Sequence, residues 1–292
     1  MPRPSSSGTA PKLTDIIPPG ADTDQDIWVE GLTKLQETKG RITVMHLHDI
    51  HAPFQHHQAL DVAYQLVEYA QPDVIVVGSD FADFALLSTF THDPDLEEDT
   101  PDELEQFAEH WDSHILKLKD IAPNALLPFI YGNHEWRILR YLEQNAPKLR
   151  RSVLRLWEEH IQSDGDVLYL GEVDWVRMGP LLVMHGNRVG VSPAKAIFGD
   201  VAGQVCVQSG HVHRLDEYVQ HGEDYNVWSK SSGCLCRDPH YQRGRQRRKW
   251  QLGTSVMYVD LNSRYAKCDN LQFQEDGRRV WVEYERNIFE CR

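Results

Sequence analysis

The chain has 292 residues, of which 25% are charged and 41% hydrophobic, proportions that suit a soluble globular protein with a sizeable core. Its formal charge of −14 repels polyanions at long range and argues against a broad nonspecific DNA-binding face, although carboxylates that take up divalent cations offset part of the count. Cys206, Cys234, Cys236, Cys268 and Cys291 form no framework and no C-x-x-C pair. Free thiols in a reducing, cytoplasmic setting are expected, with no apolar signal core and no run long enough to cross a membrane.

Residues 1 to about 25 are rich in Pro, Ser, Gly and Thr and read as a flexible tail ahead of one domain over 26–292. The ordered part is expected to open with a strand at 41–48. Ala59, Val62, Ala63, Leu66 and Val67 then recur at helical spacing, and a short apolar run at 73–77, bounded by Pro72 and Gly78, reads as a buried parallel strand. This strand–helix–strand unit favours a right-handed parallel crossover. Thr100-Pro101-Asp102-Glu103 resembles a capping box opening a long helix with Leu104, Phe107, Trp111, Ile115 and Leu118 on one face. That helix falls in an expected helical insertion at about 84–123. A strand at 125–131 and helices at 134–143 and 147–162 follow, the second with Leu149, Val153, Leu156 and Trp157 on one face. The second half is β-rich, with strands expected at 167–170, 175–178, 181–185, 205–209, 227–231, 256–260 and 280–284. The order, α/β first and then mostly β, predicts an α/β protein built as a two-sheet sandwich flanked by helices.

Five short segments fall at or just after predicted strand ends. These are Asp49-Ile-His51, Asp80-Phe-Ala-Asp83, Gly132-Asn-His-Glu135, His185-Gly186 and Gly210-His-Val-His213. Ligands gather at the carboxyl ends of strands in α/β sheets, so the five segments are expected to converge on one crevice. Asp and Asn offer hard oxygen atoms and His offers nitrogen, a mixture suited to Mn, Fe, Zn or Mg-like ions. A carboxylate shared by two ions holds them ~3.5–4 Å apart, the spacing of two-metal phosphoesterases.

The ordered set DIH, SDFAD, GNHE, HG and GHVH resembles the calcineurin-like metallophosphoesterases, whose pattern is D-x-H, G-D-x-x-D, G-N-H-[ED], a later His with a small neighbour, and G-H-x-H. The likeness covers roughly residues 41–215 and runs nearest to the short metallophosphoesterases of bacteria and their phages. It implies a four-layer α/β/β/α sandwich. It also implies two divalent metal ions, manganese foremost, with iron, zinc, magnesium or nickel as alternatives. Asp49, His51 and His213 would hold the first ion and Asn133, His185 and His211 the second, with Asp80 bridging. His134 would protonate the leaving group or stabilise the transition state. The implied reaction is hydrolysis of a phosphate ester by a hydroxide activated between the ions. A nucleic-acid or nucleotide phosphodiester is favoured, with a small-molecule phosphomonoester or a non-catalytic metal-binding scaffold as alternatives.

Two departures narrow the likeness. Ser79 stands where the family has Gly before the bridging Asp. Phosphoprotein phosphatases carry Arg at the positions of Phe84 and Tyr131, which argues against that branch. The remaining polar groups take plainer expectations: His46 and His48 as satisfied groups at a strand end, with one of them orienting a ligand as the alternative; Asp83 as a helix cap, with a hydrogen bond to a ligand as the alternative; and Glu135 as supporting the site or starting a helix. One feature stands out from the acidic background. Arg243, Arg245, Arg247, Arg248 and Lys249 cluster in an expected loop at 237–250, where Arg245, Arg247 and Arg248 are candidates to grip substrate phosphate.

Overall fold

The computed structural model describes residues 24–87, 100–201, 203–222, 226–237 and 250–292. The expected tail and the basic run at 243–249 lie outside the described residues. Strand β1 (Arg41–His46) leads through α2 (His57–Ala70) to the parallel β2 (Val74–Gly78), with Met45 opposite Ile75. Helix α3 (Thr100–Ile121) precedes β3 (Pro128–Ile130), which lies parallel to β2. Helices α4 (Glu135–Asn145) and α5 (Arg150–Ile161) precede the short β4 (Leu168–Tyr169). Two antiparallel strands near the C-terminus, β10 (Gly253–Asp260) and β11 (Ala266–Gln272), add to the other side of β1. The result is a six-stranded sheet of order β11-β10-β1-β2-β3-β4.

The second sheet has five strands in the order β5-β6-β7-β9-β8. Its members are β5 (Trp175–Met178), β6 (Leu181–Met184), β7 (Cys206–Ser209), β8 (Leu215–His221) and β9 (Asn226–Ser232), with β6, β7 and β9 parallel. Helix α6 (Pro193–Asp200) connects β6 to β7 and packs on this sheet. A three-stranded sheet of β12 (Gln274–Glu275), β13 (Val280–Tyr284) and β14 (Asn287–Cys291) closes the chain and packs against α2.

Two cores show the layering. One face of the first sheet (Met45, Ile75, Val77, Phe129) packs on α2 and α3 through Val62, Leu66, Phe107, Trp111 and Ile115. Its other face (Ile42, Val44, Val74, Val76, Met257, Val259) meets the second sheet through Val176, Leu181, Val183, Cys206 and Trp228. Helix, sheet, sheet and helix therefore stack in that order, as the resemblance implied. The expected insertion at 84–123 contributes α3, whose Phe107, Trp111, Ile115 and Leu118 enter the first core.

Several elements escaped the sequence patterns. The ordered part opens not with β1 but with α1 (Gln25–Thr38), which buries only Trp28 and Leu32 in the inter-sheet core and shows little apolar periodicity. Strand β8 carries Leu215, Tyr218 and Val219 out of step with a two-residue alternation, so no strand pattern marked it. Helix α5 turns Leu154, Trp157 and Ile161 inward and leaves Leu149 and Leu156 exposed, because α5 is set by its contact with the Phe107 and Trp111 rings and not by every leucine it carries.

His114, on α3, is fully enclosed. Its Nδ1 meets the Tyr64 hydroxyl at 2.7 Å, and burial pushes its pKa down from 6.5 to about 3. The unfolded chain therefore takes up a proton there below pH 6.5 that the folded chain refuses, and stability must fall as pH drops through that window. His114→Asn should remove this slope, about 1.4 kcal/mol per pH unit, from the difference between urea melts at successive pH values.

Candidate metal centre

The parallel strands of both sheets end at one place, and every expected ligand sits just beyond such an end: Asp49 and His51 after β1, Asp80 after β2, Asn133 after β3, His185 after β6, and His211 and His213 after β7. The segments stay tied together after the strands stop. Asp49 N–H donates to Ser79 O (2.9 Å), His51 N–H to Asp80 O (3.0 Å) and Ala52 N–H to Phe81 O (2.7 Å), which prolongs the β1–β2 pairing. On the other sheet Gly210 N–H donates to His185 O at 3.0 Å. The chain must turn sharply here, and Asp49, His51, Asp80, His211 and His213 all adopt positive φ. Such backbone is costly for side-chain-bearing residues and persists where the surroundings over-determine it.

The seven side chains converge on a cavity of about 330 Å³ lined by His51, Asp80, Asn133, His211 and His213, with Asp49 and His185 buried behind. Asp80 is the hinge of the arrangement. Its Oδ1 accepts the His134 backbone N–H at 2.7 Å, which leaves Oδ2 facing His185 Nε2 at 3.3 Å and His51 Nε2 at 3.8 Å. Potential donor atoms of Asp49, His51 and Asp80 lie within 4.8 Å of one another, and so do those of Asp80, His185 and His211. The two groups share only Asp80. Asn133 Oδ1 lies 3.0 Å from His185 Nε2, and His213 Nε2 lies 3.0 Å from Asp49 Oδ1. The structure thus brings all seven expected positions together.

The chemistry of this set fits divalent cations. His51 Nδ1–H donates to Asp83 Oδ2 (3.0 Å), which turns Nε2 into the cavity. That atom faces His213 Nε2 at 3.1 Å and the Asp49 and Asp80 oxygens. Burial lowers the His51 pKa, but the Asp49 and Asp83 carboxylates outweigh it and hold the ring well above the usual histidine range, so without a metal ion a proton supplies the positive charge that these oxygens call for. Electrostatics agree. Burial raises the Asp80 carboxyl, His51 opposes the rise, and Glu135 and Asp49 add to it, for a net shift well above the usual carboxylate range. A bound divalent charge would reverse that balance.

Supporting contacts correct several plain expectations. Asp83 takes up the ligand contact: its carboxylate holds His51, while its carbonyl accepts from His134 Nδ1 at 2.6 Å and Arg137 Nη1 at 2.7 Å. His48 is not merely a satisfied strand-end group, since its Nδ1 meets Asp49 Oδ2 at 2.5 Å. Glu135 starts α4 and also supports the site, because its carboxylate accepts the backbone N–H groups of Gly132, Asp80 and Ala82. Ser79, the departure from Gly, bonds His185 Nδ1 through its hydroxyl at 2.9 Å and so orients a second-group ligand. Phe84 and Tyr131, the positions that hold Arg in phosphoprotein phosphatases, are buried. The Tyr131 hydroxyl meets Tyr169 and Trp157 in the core.

Arg137, Arg214, Trp250 and Cys236 carried no motif and went unremarked as site residues. Arg137 Nη2 donates to His134 Nε2 at 2.9 Å. Arg214 and Trp250 line the cavity, and the Trp250 ring stands edge-on to His213 with centroids 4.2 Å apart. Cys236 Sγ lies 4.0 Å from His213 Nδ1 and within 4.8 Å of potential donor atoms of both His51 and His213, while burial, with Cys234 beside it, pushes the thiol well up.

The comparisons with known proteins follow this geometry. The family model for calcineurin-like phosphoesterases matches residues 42–250. The chain belongs to that family. Among solved structures, the crystal structure of Chaetomium thermophilum Vps29 matches with 11% identity and a TM-score of 0.33, covering 85% of this chain and 95% of that one. A search of curated proteins gave no match. Family and donor set together make the chain a metal-dependent phosphoesterase. Among the described residues, no helix of the phosphoesterase is long and apolar enough to cross a membrane.

Gly132 tests how closely the site is packed. A Cβ there would run into the Asp80 backbone nitrogen and carboxylate, whereas one on Gly199, in α6, would meet nothing within 4 Å. Gly132→Ala should displace Asp80 and cost the protein its bound divalent ions by elemental analysis. Gly199→Ala should keep them and raise stability by about 0.5–1 kcal/mol.

Proposed function

We propose that the phosphoesterase cleaves a phosphodiester of a nucleotide or nucleic acid at the convergent cluster, with Asp49, His51 and His213 on one ion, Asn133, His185 and His211 on the other, and Asp80 between them. The observation that carries the metal assignment is the two donor groups that meet only at Asp80. When bound, two divalent cations supply Lewis acidity toward phosphate oxygens and lower the pKa of a bound water.

The chain's own residues divide the remaining work. His134 Nδ1–H is fixed on the Asp83 carbonyl, so Nε2 is the atom available for proton transfer. At rest Nε2 accepts from Arg137, and burial, then His51 and Arg137, hold the ring well below the usual histidine range. An anionic phosphate draws Arg137 toward itself and favours a proton on Nε2, which His134 then passes to the leaving oxygen. The N-terminus of α4 begins at Glu135, beside that position, and adds its positive end toward an anion.

Support for a nucleoside substituent comes from the opposite wall. Val189, Val212, Arg214 and Trp250 line it, next to the ligand His213. Arg214 donates to the Gly190 carbonyl and so steadies the loop carrying Val189. An apolar surface with one indole and one guanidinium suits a flat base attached to a phosphate. In sequence, Trp250 directly follows Arg247-Arg248-Lys249, so Arg245, Arg247 and Arg248 are proposed to extend the grip along a longer phosphate chain.

Assays in Mn²⁺ of single-stranded DNA, duplex DNA, RNA, cyclic nucleotides and phosphopeptides test the substrate. Cleavage confined to phosphopeptides would overturn the nucleotide assignment, and no hydrolysis by the metal-loaded protein would favour a scaffold. His134→Ala should retain both ions and lose about 10²–10⁴-fold in kcat. Trp250→Ala should raise KM for a nucleoside 5′-aryl phosphodiester, in line with ~1–3 kcal/mol per stacked base, and leave a methyl aryl phosphodiester unaffected.

A further inference from the structure

A chain of hydrogen bonds runs from Asp49 into the space between the sheets. His48 Nδ1–H donates to the Asp49 carboxylate at Oδ2, 2.5 Å away, and Nε2 on the far side of the ring meets the Ser232 hydroxyl at 2.8 Å. The Ser232 oxygen accepts in turn from Gln208 Nε2 at 2.7 Å. These groups sit on β7, on β9 and just after β1, so the chain spans both sheets, and His48, Ser232 and Gln208 are all buried. The His46 ring lies against His48 with centroids 4.3 Å apart, and a Cβ on Gly210 would come within 2.7 Å of both His48 Nδ1 and Asp49 Oδ2. The imidazole is therefore walled on two sides as well as bonded at both nitrogens.

The consequence falls on Asp49. Its Oδ2 already accepts from His48 and from the His211 backbone N–H at 2.8 Å. Only Oδ1 remains turned toward His213 Nε2 and His51 Nε2. We propose that His48 is a positioning residue, braced by Ser232 and Gln208, that holds Asp49 Oδ2 and so aims Oδ1 at the first ion. The proposal rests on the metal assignment above. It adds to that assignment a residue outside the D-x-H pattern.

The test is site-resolved binding of Mn²⁺ and Co²⁺ to the full chain by calorimetry and by Co²⁺ absorption. His48→Phe keeps a ring of similar shape without its nitrogens. It should weaken the first ion about 10–100-fold and leave the second near its wild-type affinity, the usual effect of losing a partner behind a metal ligand. His48→Asn, whose amide can donate to Asp49, should recover much of the loss. Ser232→Ala touches no ligand directly and should give a smaller loss at the same ion, which keeps the idea testable should His48→Phe fail to fold. Wild-type affinities at both ions in Ser232→Ala and His48→Phe would overturn the proposal, as would equal weakening of both ions. A wild-type protein that takes up no divalent ion would instead remove the metal assignment itself.

Discussion

Everything at the centre of this protein turns on one buried carboxylate at the wall of the site cavity. Asp80 is buried among histidines, with one oxygen tied to the His134 backbone and the other left to face both donor groups. Leaving that oxygen anionic in a low-dielectric site is unfavourable, and bound divalent cations would turn the cost into attraction. The fold serves this requirement by ending its parallel strands at one level and continuing their pairing through the turns beyond, so that positive-φ backbone is held by main-chain hydrogen bonds and not by the ligands alone.

The supporting layer is as specific as the ligands. Asp83 fixes His51, Ser79 fixes His185, and Glu135 binds the backbone of both the Asp80 turn and the Gly132 turn. Each interaction settles which ring nitrogen or carboxylate oxygen is left for a cation, and this is how outer contacts tune a metal site. The cavity is also of mixed character. Beside its polar, hydrogen-bonded ligands it is lined by Val189, Val212, Trp250 and the Arg214 guanidinium, so a substrate would meet both kinds of chemistry.

The ordered motifs made the five strand-end segments and all seven convergent side chains legible, because each motif couples a ligand to the small neighbour that its turn demands. Gly132 and Gly210 stand where a side chain would strike Asp80 or Asp49. The paired strands of the first half were also legible, since buried parallel strands are continuous apolar runs. What stayed hidden lacked such a signature. Helix α1 buries only two side chains, the apolar residues of β8 do not alternate, and Leu156 looks like core yet lies exposed because the Phe107–Trp157 contact sets the rotation of α5.

The sequence by itself determined the family, the layered α/β architecture and the donor atoms, because these depend on residue type, spacing and strand-end placement along the chain. The tertiary structure alone decided the contacts of His48, Asp83, Arg137 and Trp250. Asp83 meets His51 and Trp250 meets His213 only through folding, and the hydrogen bond between Ser232 and His48 joins positions 184 residues apart in the chain. Local pattern carries no information about such contacts, since they arise only when two sheets, each specified by its own strands, are packed face to face.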